Sequence, residues 1–364
     1  MATGVLFGGP TPEHDVSILT GLQALRELSR SRDANGIYWT KTNRFYAVAG
    51  DVEAEAFLEG VPRGSSELTL RVGDGGGFFI VGRRERQLEL DAVLLATHGG
   101  PGEDGSLQAT LDLAGVAYSG PSAAGAALGM DKWAFGAVMG LSGLPTLARA
   151  LLTSETTALA FAGPYILKPR FGGSSIGIDV VADLATAKAR LGANAHMARG
   201  CIVEPFRDDL TDVQIAIRTY PALELSAIEK PLRHSSASEI LDYRDKYVGG
   251  EGMVSAPREL PATLAAGQAE QIASFARTIA DVASVRGVAR IDFLANESEI
   301  YVNEINTIPG SLAKYLFIAP PLDFSQLLRD LVAEAVERPA YHFSSTGADG
   351  LVLRRAGSIA SKLA

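Results

Sequence analysis

Arg290, Asp292, Glu304 and Asn306 are the residues of this 364-residue chain whose spacing most directly implies chemistry. Arg290 and Asp292 lie two apart in "ARIDF", and Glu304 and Asn306 lie two apart in "NEINTIPG". The polar "ANESE" between these two alternating segments predicts a hairpin. Period-two alternation places the members of each pair on one strand face, so three oxygen donors converge if Asp292 faces the returning strand. Two carboxylates and an amide suit a hard cation such as Mg²⁺, with room left for water and phosphate. Arg290 shares that face and is placed for an oxyanion or a transferring phosphoryl group. Acids on a strand more often mark a solvated face. An Arg-x-Asp opposite a Glu-x-Asn before a Pro-Gly turn is rarer, and that favours the functional reading.

A second candidate is "LKPRFGGSSIG", residues 167–177. A P-loop sets its lysine after the glycines, at the mouth of a helix. Here Lys168 precedes them, at the end of the apolar run "YILKP" that Pro169 terminates. The β-branched "SSIGIDVV" reads as a further strand, which puts the glycines in a turn between strands. Gly172 and Gly173 leave backbone N–H groups open to an anion, and Ser174 and Ser175 add hydroxyl donors. Taken alone, the stretch is equally an ordinary hairpin turn.

The elements that must position these residues alternate in type. "GVLFG" reads as a short buried strand and "VSILTGLQALREL" as a helix capped by Asp15 or Ser17. "GIYWT" and "RFYAVAG" read as strands, and "LDAVLLATHG" is the clearest buried strand of the region. A helix over "GEDGSLQATLDLAG" follows, with acids in its first turn. This βαβ rhythm predicts an α/β fold with a mostly parallel sheet and ligands at the carboxyl ends of its strands. Loops 8–15 and 97–104 both follow such ends. A small-residue-rich segment near Pro121 reads as a linker into a second domain, and "GADGLVLRRAGSIASKLA" reads as a tail packed on the surface.

Composition narrows the classes. With 47% hydrophobic and 21% charged residues the chain reads as a soluble globular protein. No window approaches the ~18–20 apolar residues of a membrane span, and the first residues lack the pattern of a signal peptide. A single cysteine, Cys201, excludes an intramolecular disulfide and a thiolate zinc cluster. These features favour the cytoplasm. The net charge of −9 argues against nucleic acid as a partner but leaves a nucleotide open.

Long motifs then occur in order: "VLFGGPTPEHDVS", "HGGPGEDGSLQATLDLAGVAYSGPSAAGAALGMDK", "ILKPRFGGSSIG", "DYRDKY", "ARIDF" and "EINTIPG". Over nearly its whole length the sequence resembles the ATP-grasp superfamily, and within it the D-alanine–D-alanine ligases. The resemblance implies a three-domain ATP-grasp fold. Residues 1–121 would form an N-terminal parallel-sheet domain that binds substrate, 122–200 a small central domain bearing a phosphate flap, and 201–364 a C-terminal domain with the metal site and a mobile loop. It implies ATP between the last two, with Lys132, Lys168 and Lys246 on the nucleotide and Gly173, Ser174 and Ser175 folded over the phosphates. Glu204, Pro205 and Phe206 look like the adenine hinge. Asp212 looks like the ribose contact if one residue is inserted before it. Asp292, Glu304 and Asn306 look like ligands of two Mg²⁺ (or Mn²⁺) ions.

The implied reaction is ADP-forming ligation of small amino-acid substrates through an acyl phosphate. By resemblance Arg290 and the Gly310 N–H form an oxyanion hole, and Asp15, Ser174 and Tyr247 meet as a closing triad. Asp15 would orient the first ammonium group, with His98 near that substrate's carboxylate, and Ser311, Tyr315 and Leu316 would line the acceptor side. The family tends to dimerise through the first domain, although no self-complementary patch identifies a homodimer here. Three departures stand out: Asp15 where the family has glutamate, Leu241 where it often has tyrosine, and "PGSLAKYLF". In the last, Tyr315 stands where a serine grips the acceptor's carboxylate, while Lys314 beside it would point the opposite way on a strand. The readings are therefore a D-alanine–D-alanine ligase with a variant acceptor pocket, a relative joining another amino acid or amine in antibiotic biosynthesis or self-resistance, and a non-catalytic ligand-binding relative. The intact metal set argues against the third.

Overall fold

The computed structural model describes residues 2–232, 257–341 and 343–359. Its architecture rests on one seven-stranded sheet and two four-stranded sheets, with a two-stranded ribbon that pairs Lys230–Pro231 with Arg258–Glu259.

In the large sheet the strand Ala2–Gly8 lies between Ala34–Trp39 and Leu90–Leu95, parallel to both. All of Ala2–Gly8 is buried, so its apolar residues run on without alternation. Beyond this parallel centre the strands Phe45–Val48, Ser66–Arg71, Gly77–Ile80 and Arg86–Gln87 pair antiparallel. The sheet is thus mixed rather than mostly parallel, because several of these later strands are joined by turns too short for a crossover helix. The helix His14–Ser29 packs on the parallel centre, and neither predicted cap acts as one. Glu13 precedes the helix, and Ser17 lies inside it, accepting from the Gly8 N–H at 2.7 Å and donating to the Ala96 carbonyl at 2.7 Å. That hydroxyl ties the helix to two strand ends.

The cores do not follow the linear division at 122 and 201. Phe135, Met139 and Leu144 pack with Ile272, Ile279 and Ile291 under the third sheet. Leu327, Leu328, Leu331, Val332 and Ala335 of the helix Phe324–Glu337 complete the core of the first sheet. Leu152, Tyr165, Leu167, Val181, Ala187, Met197, Cys201 and Val203 form the buried core of the small sheet. Amphipathic helices cover whichever sheet face is open, irrespective of chain order.

The small sheet runs Asp179–Val181, Tyr165–Pro169, Cys201–Pro205, Ala150–Leu152, every pair antiparallel. The third runs Glu224–Leu225, Thr211–Arg218, Val288–Ala295, Ile300–Asn306, also antiparallel. Two predicted extended stretches are turns. Ser174 and Ser175 have φ of 51° and 58°, so the strand expected over "SSIGIDVV" begins only at Asp179. "GSLAKYL" is a tight helical turn, Gly310–Leu316, in which Ser311, Leu312 and Ala313 have φ near +50°. The short tail helix Leu351–Arg354 buries none of its residues, contrary to the packed tail expected.

Candidate active site

The hairpin Val288–Ala295/Ile300–Asn306 sets Arg290 opposite Asn306 and Asp292 opposite Glu304. The oxygen donors therefore share one face. Arg290 grips Asp292 with two hydrogen bonds, Nε to Oδ1 at 2.7 Å and Nη2 to Oδ2 at 2.8 Å, and Asn306 Nδ2 reaches Oδ2 at 3.1 Å. The register shifts between Asp292 and Phe293, which leaves Asn303 as an extra residue facing the cleft. Its Oδ1 accepts from Lys168 Nζ at 3.0 Å, across from the small sheet.

Lys168 is buried and also donates to Glu204 Oε2 at 2.7 Å. Glu204 is only 1% exposed, and its Oε1 lies 2.9 Å from Arg149 Nη2 in an ion pair without hydrogen-bond alignment. Burial opposes the charge on Glu204, but Lys168 and Arg149 outweigh it and hold its carboxyl below the usual range. Arg149 also donates to the Lys132 carbonyl at 2.5 Å. Lys132 opens the helix Lys132–Leu141, capped by Asp131, whose Oδ1 accepts from the N–H groups of Trp133 and Ala134 at 3.1 Å each. The Lys132 ammonium pairs with Glu304. A cleft partly open to solvent is thus lined by Lys132, Lys168, Asp212, Asp292, Glu304 and Asn303.

Asp212 and Gln214 face this cleft while Val213 and Ile215 are buried in the core, as strand alternation requires. Pro205 and Phe206 line its edge, where the Phe206 N–H already donates to the Pro164 carbonyl at 2.8 Å. A base docking there meets their side chains rather than that N–H. Gly173 and Ser175 roof the cleft. A smaller chamber, walled by Glu13, Glu103 and Asn306, shares Lys132, Gly172, Gly173 and Glu304 with it.

The family model for the N-terminus of D-ala D-ala ligase matches residues 2–121, and the model for its C-terminus matches 143–333. The chain belongs to the D-alanine–D-alanine ligase family. It is 30% identical to a D-alanine–D-alanine ligase of Helicobacter pylori strain P12, over 92% of this chain and 94% of that protein. It is 29% identical to the enzyme of that name from Campylobacter lari, over 91% and 92%. The crystal structure of the D-alanine–D-alanine ligase of Helicobacter pylori superposes with a TM-score of 0.73 at 26% identity, covering 94% of this chain and all of that one (100%). A D-Ala:D-Ser ligase from Enterococcus faecalis, at 24% identity and a TM-score of 0.74, shares the fold over 92% and 99%. As a member of the D-alanine–D-alanine ligase family, the chain is an ATP-grasp, ADP-forming carbon–nitrogen ligase that uses ATP and Mg²⁺. The donor set fits that metal: oxygens of Asp292, Glu304 and Asn306 share one face, and the two carboxylates already attract Arg290 and Lys132.

Several site residues of this ligase are not where the sequence placed them. Asp15 points to solvent and pairs with Lys41 at 3.4 Å, both side chains well exposed. Glu13 instead receives the Ser174 hydroxyl. Its carboxylate is packed so closely that a Cβ on Gly173 would lie 2.9 Å from Oε2, and one on Gly99 2.2 Å from the same atom. His98 is buried with both ring nitrogens engaged, Nδ1 to the Ile308 carbonyl at 2.7 Å and Nε2 to Thr20 Oγ1 at 2.8 Å, which leaves neither for a substrate carboxylate. Leu316 is fully buried in the core of the first sheet rather than lining a pocket. Lys246, Tyr247 and Leu241 lie outside the described residues.

Around Tyr315 lie two residues that no motif marked. The Arg258 guanidinium stacks over the Tyr315 ring at 4.8 Å and pairs with Glu229 at 2.8 Å. Burial pushes the Tyr315 hydroxyl well above its ordinary range, partly offset by Arg290 beside it. The left-handed Ser311, Leu312 and Ala313 each carry a backbone cost of roughly 1–2 kcal/mol. Gly310, at the head of that turn, is buried, and its N–H meets no acceptor among the described residues.

Two measurements check this geometry. Glu13→Gln is expected to raise the KM for the first amino acid at least about 10-fold, in line with loss of one charged contact, whereas Asp15→Asn changes it less than about twofold. Initial rates on both variants decide between the two acids. Glu103 accepts from the Gly99 and Ile308 N–H groups at 3.0 and 2.9 Å. Burial and the neighbouring Glu13 push its carboxyl up to about 7. A raised carboxyl pKa favours the fold most below the unfolded value, and that contribution is lost as pH rises toward the folded one. From pH ~4.5 to ~7 the protein should therefore lose on the order of 3 kcal/mol relative to Glu103→Gln, read by urea unfolding of both across that range.

Proposed function

We propose that this ligase joins D-alanine to a D-alanine-like acceptor for cell-wall precursor synthesis, acting in the cytoplasm on free amino acids. The observation that carries this reading is the convergence, in one cleft, of Lys132 and Lys168 with Asp292 and Glu304, beside which the hairpin sets Arg290 and Asn306. The single buried cysteine and the absence, among the described residues, of any helix long and apolar enough to cross a membrane support that location. The net charge of −9 fits a protein without a nucleic-acid partner. A homodimer through the first domain is the assembly that the family resemblance suggests.

In the first step a carboxylate oxygen of the first amino acid attacks the γ-phosphorus, and the bond to ADP breaks. Lys132 and Lys168 neutralise phosphate charge, with Lys246 a further candidate by resemblance alone, while Asp212 meets the ribose and Pro205 and Phe206 flank the base. Asp292, Glu304 and Asn306 would hold the Mg²⁺, which when bound would supply Lewis-acid stabilisation of the transferring group. In the second step the acceptor's amine attacks the acyl carbon, the C–O bond breaks, and the departing phosphate carries away the proton that the amine loses. Arg290 and the Gly310 N–H receive the oxyanion. Glu13 orients the first ammonium group. Ser174, bonded to Glu13, helps shut water out so that the acyl phosphate meets only the amine; Tyr247 is a further candidate for this role by resemblance alone.

Tyr315 and Arg258 favour a second reading, in which the acceptor differs from D-alanine. A tyrosine under a guanidinium narrows the acceptor end and changes its hydrogen-bonding reach. Tyr315→Ser should shift relative kcat/KM between acceptors by about 10-fold or more and leave the KM for ATP unchanged. An equal effect on every acceptor removes Tyr315 from the pocket. The overall reading is tested by ADP release with D-alanine alone, then with D- and L-amino acids and simple amines, each product identified by mass. Dipeptide from D-alanine alone supports the first reading, turnover only with another pair supports the second, and no amino-acid-dependent ADP contradicts both.

A further inference from the structure

We propose that Thr20 and His98 are positioning residues of the ligation step, which together hold the turn after Pro309 so that Gly310 presents its N–H to the cleft. The proposal rests on the reading of Gly310 as an oxyanion donor. Three contacts fix an ordered chain of donors. The Ile308 carbonyl only accepts, so the His98 Nδ1 at 2.7 Å carries the proton. Nε2 is then an acceptor, and the Thr20 hydroxyl donates to it at 2.8 Å. The Thr20 oxygen in turn accepts from the Ser311 N–H at 3.2 Å.

Both side chains come from the first domain, Thr20 from the helix His14–Ser29 and His98 from the loop after the strand Leu90–Leu95. They grip the backbone on either side of Gly310, two residues before it and one after. Three successive non-glycine residues at positive φ follow, a conformation that persists only where surroundings over-determine it. The Leu312 N–H closes on the Pro309 carbonyl at 2.9 Å, and Leu312 and Ala313 are buried in the core of the first sheet. That core fixes the far side of the turn, and the Thr20–His98 pair fixes the side facing Gly310. The two residues are 2% and 4% exposed, so water does not compete for the two bonds that His98 makes. Burial holds His98 neutral, its pKa lowered to about 4, which keeps the order of donors constant across the neutral range.

Ligation forms a tetrahedral oxyanion at the acyl carbon, whereas phosphoryl transfer to the carboxylate does not. Displacing Gly310 therefore slows the second step and spares the first. The test is a rapid-quench single turnover with ATP, Mg²⁺ and D-alanine (or the pair that the panel above identifies), comparing the unmodified chain with Thr20→Val and Thr20→Ser. Thr20→Val removes the donor to Nε2 and the acceptor for Ser311, and Thr20→Ser retains both. In Thr20→Val, ADP should appear in the first turnover at an unchanged rate while dipeptide appears about 10- to 100-fold more slowly. Thr20→Ser should restore dipeptide formation. If Thr20→Val slows both products equally, or neither, or if Thr20→Ser behaves like Thr20→Val, the positioning role is overturned. Absence of both products from the unmodified chain contradicts instead the ligase reading on which the proposal stands.

Discussion

Glu304→Gln should leave the fold intact and lower ADP formation by roughly 10³-fold, the scale associated with losing one preorganised charge contact at a reacting centre. Glu304 is the carboxylate directly opposite Asp292 and the partner of Lys132. Glutamine keeps the size and one oxygen but removes the charge that draws both a divalent cation and Lys132. Because Glu304 is partly exposed, the lost ion pair costs little stability. Thermal unfolding should therefore be nearly unchanged while turnover collapses. Full turnover in this variant contradicts the metal assignment.

Lys168→Met should be damaging in two separable ways. Lys168 links both walls of the cleft, reaching Glu204 on the small sheet and Asn303 on the third. Removing it leaves the buried Glu204 carboxylate with the poorly aligned Arg149 and the weaker pull of Lys132, at a cost of about 3–5 kcal/mol as for other broken buried pairs. It also removes a cation from the phosphate site, so ADP formation should be lost. The double variant Lys168→Met/Glu204→Gln neutralises the orphaned charge and should recover much of the stability. It should recover none of the activity. Urea unfolding and ADP release on the three variants, including Glu204→Gln alone, separate the two effects, and parallel recovery of both properties refutes a direct role for Lys168.

The hairpin Val288–Ala295/Ile300–Asn306 was legible because strand alternation and a short polar turn together fix which residues face one another, and Arg290, Asp292, Glu304 and Asn306 meet as that pattern requires. The bulge at Asn303 was not read, although it leaves a trace. Buried positions on the return strand move from Ile300 and Val302 to Ile305, a slip from even to odd that marks one extra residue. Glu13 was missed for a geometric reason. At a helix start, residues two apart point to nearly opposite sides, so one of Glu13 and Asp15 had to face solvent, and composition does not say which. The mixed character of the first sheet was hidden because apolar strands read alike whichever way their neighbours run. Arg258, Glu229 and Thr20 are brought to the site by tertiary packing alone, far in sequence from what they touch, and no local period or motif announces them.

The central claim is that this cleft couples ATP cleavage to carbon–nitrogen bond formation by phosphorylating a substrate carboxylate. It is tested most directly by running the reaction with D-alanine carrying ¹⁸O in its carboxylate and analysing the inorganic phosphate by mass. The account predicts one ¹⁸O atom transferred to phosphate for each dipeptide formed, because the attacking carboxylate oxygen departs with the phosphoryl group. Phosphate free of label, released alongside ADP and dipeptide, would contradict it.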